Sequence, residues 1–238
     1  MLKHTRTLFD QAPYQSSFKG RVLAIGELGI ALDQTLFYPT GGGQPGDQGH
    51  FILPDGSELA IFCTQRDPLL RSIIWHQIDK AHSAVQVNMD VQGYLDWELR
   101  YRRMRMHTCL HLLSAIVDAP VTGCSMTAEK GRLDFDLPEL NLDKSSITER
   151  LNKLIKSALE VRTVEIPVSE ITRANDLSRT RIPPAMNHEA IRVIEISGVD
   201  TQLCGGTHVQ NTAEIGSVVC DRIEKKSRLN RRITLRFA

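Results

Sequence analysis

The sequence predicts an α+β fold in two parts: a small N-terminal β-barrel or sandwich over residues 1–92, then an α+β domain over residues 93–238. Three observations carry this. From about residue 19 to residue 91 the chain is a run of short β-type segments broken by turn residues, the pattern of a small barrel or sandwich. Near Gln92-Gly93 the apolar period changes, and a long stretch without proline or glycine reads as a helix. Beyond it, a second helical pattern is mixed with strand patterns of the antiparallel kind.

Val22, Leu23 and Ile25 open the first strand pattern, residues 30–32 form another, and Pro54-Asp55-Gly56 is a turn between two more. Residues 72–78 are rich in β-branched and aromatic side chains, and Val85, Val87, Met89 and Val91 alternate with polar residues, as in a half-buried strand. Within this region lies the loop Tyr38-Pro39-Thr40-Gly41-Gly42-Gly43-Gln44-Pro45-Gly46-Asp47-Gln48-Gly49. Three residues without side chains let a ligand backbone or another domain approach the main chain, and the flanking prolines stiffen the loop. No GK[ST] or GxGxxG pattern follows, so it is not a phosphate-binding fingerprint.

The first helix is expected over residues 94–117, started by Asp90 or Asp96, with Gly93 as the approximate domain junction. After a turn at Asp118-Ala119-Pro120, strands are expected at 121–126 and 132–137, joined by a turn through Lys130-Gly131. A second helix over 147–160 opens on Ser146-Ile147-Thr148-Glu149, which fits a capping box. Strands follow at 163–168, 191–196, 215–223 and 232–237.

With 238 residues, 41% apolar and 24% charged, the composition is that of a globular protein with a substantial core. No apolar run is long enough to cross a bilayer, and the start MLKHTRTLFDQAPYQ lacks the apolar centre of a secretory signal. A cytoplasmic protein without a membrane partner is therefore expected. Five cysteines, Cys63, Cys109, Cys124, Cys204 and Cys220, show no pairing pattern, which suits a reducing compartment. The net charge of +1 conceals clusters. Arg100, Arg102, Arg103 and Arg105 crowd the first helix, and the tail carries Arg222, Lys225, Lys226, Arg228, Arg231, Arg232 and Arg236 against Glu224. Such clusters are a footprint for phosphate backbones, with a solvated charged face as the plainer alternative.

The chemistry centres on two motifs. His107 and His111, at i and i+4, project from one helix face, so both imidazoles can reach one ion. Cys204-Gly205-Gly206-Thr207-His208 adds a thiolate and a third imidazole from a glycine-bearing loop. Alone, the first is ordinarily a polar pair on an amphipathic helix and the second a buried cysteine near a surface histidine. Together they make a nitrogen-rich, one-sulfur shell that favours zinc over magnesium or calcium. Cys109 points away from this face and belongs to the core, whereas Arg100 and Arg103 share roughly the metal-binding face.

The segments FYPTGGGQPGDQG, DWELRYRRMRMHTCLH and GVDTQLCGGTHVQNTAEIG occur in this order. Over nearly the whole chain they closely resemble the AlaX family of alanyl-tRNA editing proteins and the editing domain of alanyl-tRNA synthetase. The resemblance implies a hydrolase with one zinc per chain that removes wrongly attached serine, and in some members glycine, from tRNA(Ala). By matching position its zinc ligands are His107, His111, Cys204 and His208. Gly41, Gly42, Gly43 and Gln44 would belong to a barrel that faces the editing site, which marks the mid-length type of the family. These four and Thr207 are expected substrate contacts. Thr122 is a further one, standing where the synthetase editing domain carries a glutamine; its hydroxyl would bond a serine side chain and go unpaired against an apolar one. Arg100, Arg103, Lys225, Lys226, Arg228 and Arg231 are expected to contact tRNA. No length remains for an adenylate-forming domain, so the implied action is in trans on a finished aminoacyl-tRNA.

The implied reaction is hydrolysis of the ester between amino acid and terminal ribose, in which zinc serves as Lewis acid, water activator or template. Four protein ligands form a closed shell, which ordinarily denotes a structural metal. Either the shell opens when substrate arrives, or zinc holds the pocket while neighbouring groups and ribose hydroxyls orient water. No motif marks a general base. Two other functions compete: a zinc-stabilised RNA-binding module without catalysis, and a deacylase of seryl-tRNA(Thr), since threonyl-tRNA synthetase has a related editing domain. The glycine-rich segment favours the alanine side.

Overall fold

A computed structural model describes residues 4–79, 85–137, 143–167 and 190–238. These residues form mostly sheet with two α-helices, an α+β fold as the sequence predicts. The chain divides into two compact units: Met1–Gly41 with Pro45–Tyr101, and Gly42–Gln44 with Arg102–Ala238.

The first unit contains β1 (Arg6–Thr7), β2 (Ser17–Gly26), β3 (Gly29–Leu32), β4 (Gln34–Thr35), β5 (Gly49–Ile52), β6 (Glu58–Ile61), β7 (Cys63–Arg66), β8 (Ile74–Gln77) and β9 (Asp90–Leu95). Seven of these form one sheet in the order β6-β5-β9-β2-β3-β8-β7, with antiparallel pairing throughout. Its apolar face buries Phe18, Val22, Ile30, Leu32, Phe37, Phe51, Leu59, Ile61 and Leu95 in one core. The expected closed barrel is not found among the described residues: the hydrogen-bonded order ends at β6 and β7, with no ladder between them. Phe62 alone separates the two in sequence, and its N–H donates to Gln77 O (3.0 Å), so β6 and β7 follow one another along one stretch, pairing first with β5 and then with β8, instead of lying side by side as paired strands.

The alternation at 85–91 is a turn followed by the start of a strand. Asn88 has φ 70°, Met89 N–H returns to Gln86 O, and only from Asp90 does the ladder begin. Gly93 lies inside β9, where a Cβ would overlap the Phe18 ring. Residues 94 and 95 therefore extend a strand. The first helix, α1 (Trp97–Val117), begins after Asp96, whose carboxylate accepts Leu99 N–H (3.0 Å) and whose carbonyl accepts Arg100 N–H.

The second unit continues with β10 (Val121–Met126), β11 (Lys130–Asp136), α2 (Lys144–Lys156), β12 (Val161–Pro167), β13 (Ala190–Ile196), β14 (Asp200–Leu203), β15 (Val218–Lys225) and β16 (Asn230–Phe237). An antiparallel sheet runs β10-β11-β16-β15, and a three-stranded one runs β12-β13-β14. Gly131 is within β11 rather than in a turn: a Cβ there would lie 2.9 Å from Met106 Sδ, so the missing side chain lets α1 pack closely on the sheet. Helix α2 is capped by Asp143, which accepts Ser146 N–H (2.7 Å), so it starts and ends earlier than the pattern around Ser146 suggests. Ile147, Leu151 and Ile155 form its buried stripe. Strand β15 starts at Val218 because residues Thr212–Ile215 close a 3-10 turn under an Asn211–Glu214 capping box. Of the expected strand at 163–168, residue 168 lies outside the described residues. No helix among the described residues is long and apolar enough to cross a membrane.

Candidate metal centre

Helix α1 presents His107 and His111 one turn apart, and β14 delivers the chain to Cys204, from which a short glycine loop returns to His208. The candidate ligand atoms of these four residues all lie within 4.8 Å of one another. Cys204 Sγ is 3.5 Å from His107 Nε2 and 3.3 Å from His208 Nε2. With Zn–S near 2.3 Å and Zn–N near 2.0–2.1 Å, a tetrahedral shell separates sulfur from nitrogen by about 3.6 Å, so the donor set fits zinc. The histidine rings are buried, with centroids 4.2–5.3 Å apart.

Hydrogen-bond accounting fixes how the rings point. Thr207 N–H can only donate, and it meets Gln44 Oε1 (3.1 Å), so that atom is an acceptor. His107 Nδ1 lies 2.9 Å from the same oxygen and must carry its proton there. His111 Nδ1 faces Asp200 Oδ2 at 3.2 Å. Thr108 Oγ1 donates to Met104 O (3.1 Å) and accepts Val209 N–H, so His208 Nδ1, at 3.1 Å, is its second donor. All three histidines thus place the proton on Nδ1 and turn a lone pair on Nε2 toward the centre. Such outer partners set both the tautomer and the basicity of metal-ligating histidines.

The cysteine loop is held from outside. Arg192 reaches from β13 to donate through Nη1 to Cys204 O (2.6 Å) and Gly206 O (2.9 Å). Gly206 N–H points at Cys204 Sγ (3.4 Å), and a Cβ at Gly206 would overlap the His107 ring. Burial opposes the Cys204 thiolate, but His107 and His208 outweigh it and hold the thiol well below its usual range. Burial and the His107 charge press His208 well below the usual histidine value. Burial also opposes charge on His111, yet the bonds to Asp200 and Cys204 prevail and raise it to about 9. A carboxylate and a thiolate around three imidazoles make a centre that favours positive charge.

The other expected site residues divide. Gly42, Gly43 and Gln44 belong to the same unit as the four donors. Gln44 is fully buried and bonded to His107 and to Thr207, whose hydroxyl accepts from Gln44 Nε2 (2.9 Å). Thr207 is itself fully buried and braces the loop through Gln44. Gly41 lies with the first unit, its carbonyl accepting Tyr38 Oη–H (3.0 Å). Thr122 is exposed at a bulge in β10, where its hydroxyl donates to Asp134 O and accepts from Asn230 Nδ2. Cys124, two residues on, packs against the glycine loop: a Cβ on Gly43 would fall 2.6 Å from its Sγ, and burial, with the Cys204 charge adding to it, pushes its thiol up to about 12.

Arg100, expected at the tRNA, is 1% exposed, paired with Asp47 and bonded to Leu36 O and Pro13 O, so its charge is spent inside the first unit. Arg103, expected there too, is likewise buried. Lys225, Lys226 and Arg228 are exposed, and Arg231 half-buried, at the hairpin joining β15 to β16. Sequence reading missed Thr108, Asp200 and Arg192. Asp200 and Thr108 flank the motifs at hydrogen-bonding distance in space, and Thr108 sits inside His107-Thr108-Cys109-Leu110-His111, the one such residue with a positional signal.

Residues 191–234 match the sequence family described as the threonyl and alanyl tRNA synthetase second additional domain, and residues 4–99 match tRNA synthetases class II (A). The chain is 32% identical over 235 residues to an alanyl-tRNA editing protein AlaX-M of Saccharolobus solfataricus, covering 96% of this chain and 97% of the relative. It is 32% identical over 241 residues to an AlaX-M protein of Methanosarcina barkeri, with the same coverage of both chains. An alanine–tRNA ligase of Saccharolobus islandicus is 34% identical over 235 residues, where 94% of this chain matches 25% of the ligase.

Proposed function

The chain belongs to the AlaX-M family of alanyl-tRNA editing proteins, and we propose that it deacylates tRNA(Ala) mischarged with serine, and with glycine as a secondary substrate, acting in trans with one bound zinc. The observation that supports this most directly is the convergence of three Nε2 lone pairs and Cys204 Sγ, each imidazole having spent its Nδ1 proton elsewhere. His107, His111, Cys204 and His208 would hold the metal. Zinc there would supply Lewis acidity toward the ester carbonyl, or a charged template for the substrate.

The remaining work falls to the chain itself. Asp200, Thr108 and Gln44 hold the three rings in one orientation, and Arg192 holds the backbone on both sides of Gly205. In this reading Cys124 and Gly43, which leave no room for a side chain between them, would border the space for the amino-acid side chain. Serine brings a hydroxyl that alanine lacks, and a polar group placed to bond it would be left unpaired by the correct product. Lys225, Lys226, Arg228 and Arg231 would hold RNA phosphates, giving a salt-dependent affinity. In the same reading residues 1–92 assist RNA engagement and residues 93–238 carry the deacylase centre.

The test is serine release from seryl-tRNA(Ala), with alanyl-tRNA(Ala), glycyl-tRNA(Ala) and seryl-tRNA(Thr) in parallel. Rapid loss of serine with alanine spared is the expected result. The closed four-donor shell favours one other reading, a metal-stabilised RNA-binding module. Retained RNA with zinc bound and no release from any ester would establish that reading and overturn deacylation.

A further inference from the structure

Gln44 comes from the glycine-rich loop, yet every polar atom of its side chain is spent on the metal centre. Oε1 accepts from His107 Nδ1 (2.9 Å) and from Thr207 N–H (3.1 Å), and Nε2 donates to Thr207 Oγ1 (2.9 Å). The side chain is fully buried, so water does not substitute for any of these partners. One amide thus ties a ligand on helix α1 to the loop between the other two ligands, Cys204 and His208.

The surrounding backbone is shaped to bring it there. Gly42 and Gly43 have φ of 58° and 83°, a region costly for other residues. A Cβ on Gly43 would collide with Cys124, and Gly43 O accepts Met126 N–H (3.1 Å), pinning the loop to the end of β10. Gly206 leaves the room that the His107–Gln44 pair occupies: a Cβ there would overlap the ring and lie 3.0 Å from Gln44 Oε1.

We propose that Gln44 is a positioning residue of the metal centre: it holds the His107 proton on Nδ1, keeps Nε2 free for the metal and fixes the spacing between the two ligand-bearing segments. Gly42 and Gly43 then serve chiefly to deliver this amide. Glutamine suits the position because its oxygen takes two donors while its nitrogen satisfies the Thr207 hydroxyl; asparagine is shorter by one methylene, and an apolar residue satisfies none of them. The inference rests on the reading that the four donors bind zinc.

Two variants with opposite chemistry test it. Gln44→Leu keeps the volume and removes both acceptor and donor; Gln44→Glu keeps the acceptor for His107 and Thr207 N–H, and the Thr207 hydroxyl turns to donate. Zinc affinity is read in the full chain by competition with a chromogenic chelator, alongside the unfolding midpoint of each zinc-free variant. Loss of an outer-shell partner costs about 10- to 100-fold in metal affinity, so Gln44→Leu should fall by that factor while Gln44→Glu stays within about threefold of the wild type. A role in packing alone reverses the order, since leucine is tolerated in a buried site and a carboxylate is not. Equal zinc affinity in Gln44→Leu and wild type, or an equal loss in both variants, would overturn the proposal.

A second readout needs no variant. In zinc-free protein at alkaline pH, the nitrogen-15 spectrum of the His107 ring should show the proton on Nδ1; a proton on Nε2 would contradict the assigned role whatever the variants do. Failure of the wild type to bind zinc at all would instead remove the underlying metal reading, a separate outcome from unchanged affinity between variants.

Discussion

Two buried histidine environments in this chain differ in one respect, and that respect separates a core residue from a candidate ligand. In the first unit His76 is fully buried with both ring nitrogens occupied: Nδ1 donates to Ile30 O (2.9 Å), and Nε2 accepts from Thr35 Oγ1 (2.8 Å). Phe37 and Phe51 pack edge-on against the ring. In the second unit His107, His111 and His208 are nearly as buried, each with Nδ1 occupied, but their Nε2 atoms face Cys204 and one another. His76 is complete as a neutral imidazole. The other three form a cluster that would suit a cation, because lone pairs and a thiolate crowded together out of water repel one another.

The largest break in this contrast is removal of a donor. Cys204→Ala and His107→Ala are each expected to reduce zinc from one per chain to a small fraction and to abolish serine release in step, as metal analysis and deacylation on the same preparations will show. Full activity in verified metal-free protein would sink the zinc reading. Next in size is the pH response of His76. Burial lowers its pKa from 6.5 to about 4. Between those values the unfolded chain binds a proton that the folded one refuses, so the stability it contributes is full above pH 6.5 and is lost as pH falls toward 4. The shift corresponds to about 3 kcal/mol. His76→Gln removes that titration, so the wild-type advantage in urea unfolding should shrink by about this amount between pH 7 and pH 4. Parallel pH slopes for the two proteins would mean that His76 is not held neutral.

What was legible in the sequence follows the same division. The four donors could be read because helical spacing and a glycine-shaped loop are local signals. The bonds of Asp200, Arg192 and Gln44 could not, because each reaches to a partner on another segment: Asp200 to His111, Arg192 to the backbone of Cys204 and Gly206, Gln44 to His107 and Thr207. The α+β class was readable from periodicity, whereas the strand order was not, since strand alternation is the same whether or not the ladder closes on itself. The burial of Arg100 and Arg103 was hidden for a related reason: helical spacing gives the face, while burial depends on what packs against it. Gly131 and Gly93 look like punctuation in sequence, and both are strand residues where a close neighbour excludes a side chain.

A smaller change probes the outer partners without deleting a ligand. Asp200→Asn retains the shape around His111 while removing the charge that Nδ1–H meets. Zinc affinity is expected to drop by about 10- to 100-fold, with serine release recovered at saturating zinc. Unaltered affinity would show that the carboxylate is not needed to set the ring. The comparison with His76 predicts the asymmetry, because Thr35→Ser, which keeps the hydroxyl at that histidine, should leave zinc affinity untouched.

The smallest effect concerns cations, and it sets Arg100 against Lys226. Arg100 is enclosed and neutralised by Asp47, so its loss acts on folding of the first unit. Lys226 is exposed at the β15–β16 hairpin, with Arg228 exposed beside it. Lys226→Ala is expected to weaken tRNA binding a few-fold and reduce the slope of log affinity against log salt by about 1, leaving zinc content and the serine-to-alanine ratio unchanged. Binding titrations at several salt concentrations decide it. An unchanged slope would take the hairpin out of the RNA interface, whereas an altered serine-to-alanine ratio would mean that it reaches the amino-acid end, a role for which its exposed lysine offers no recognition chemistry.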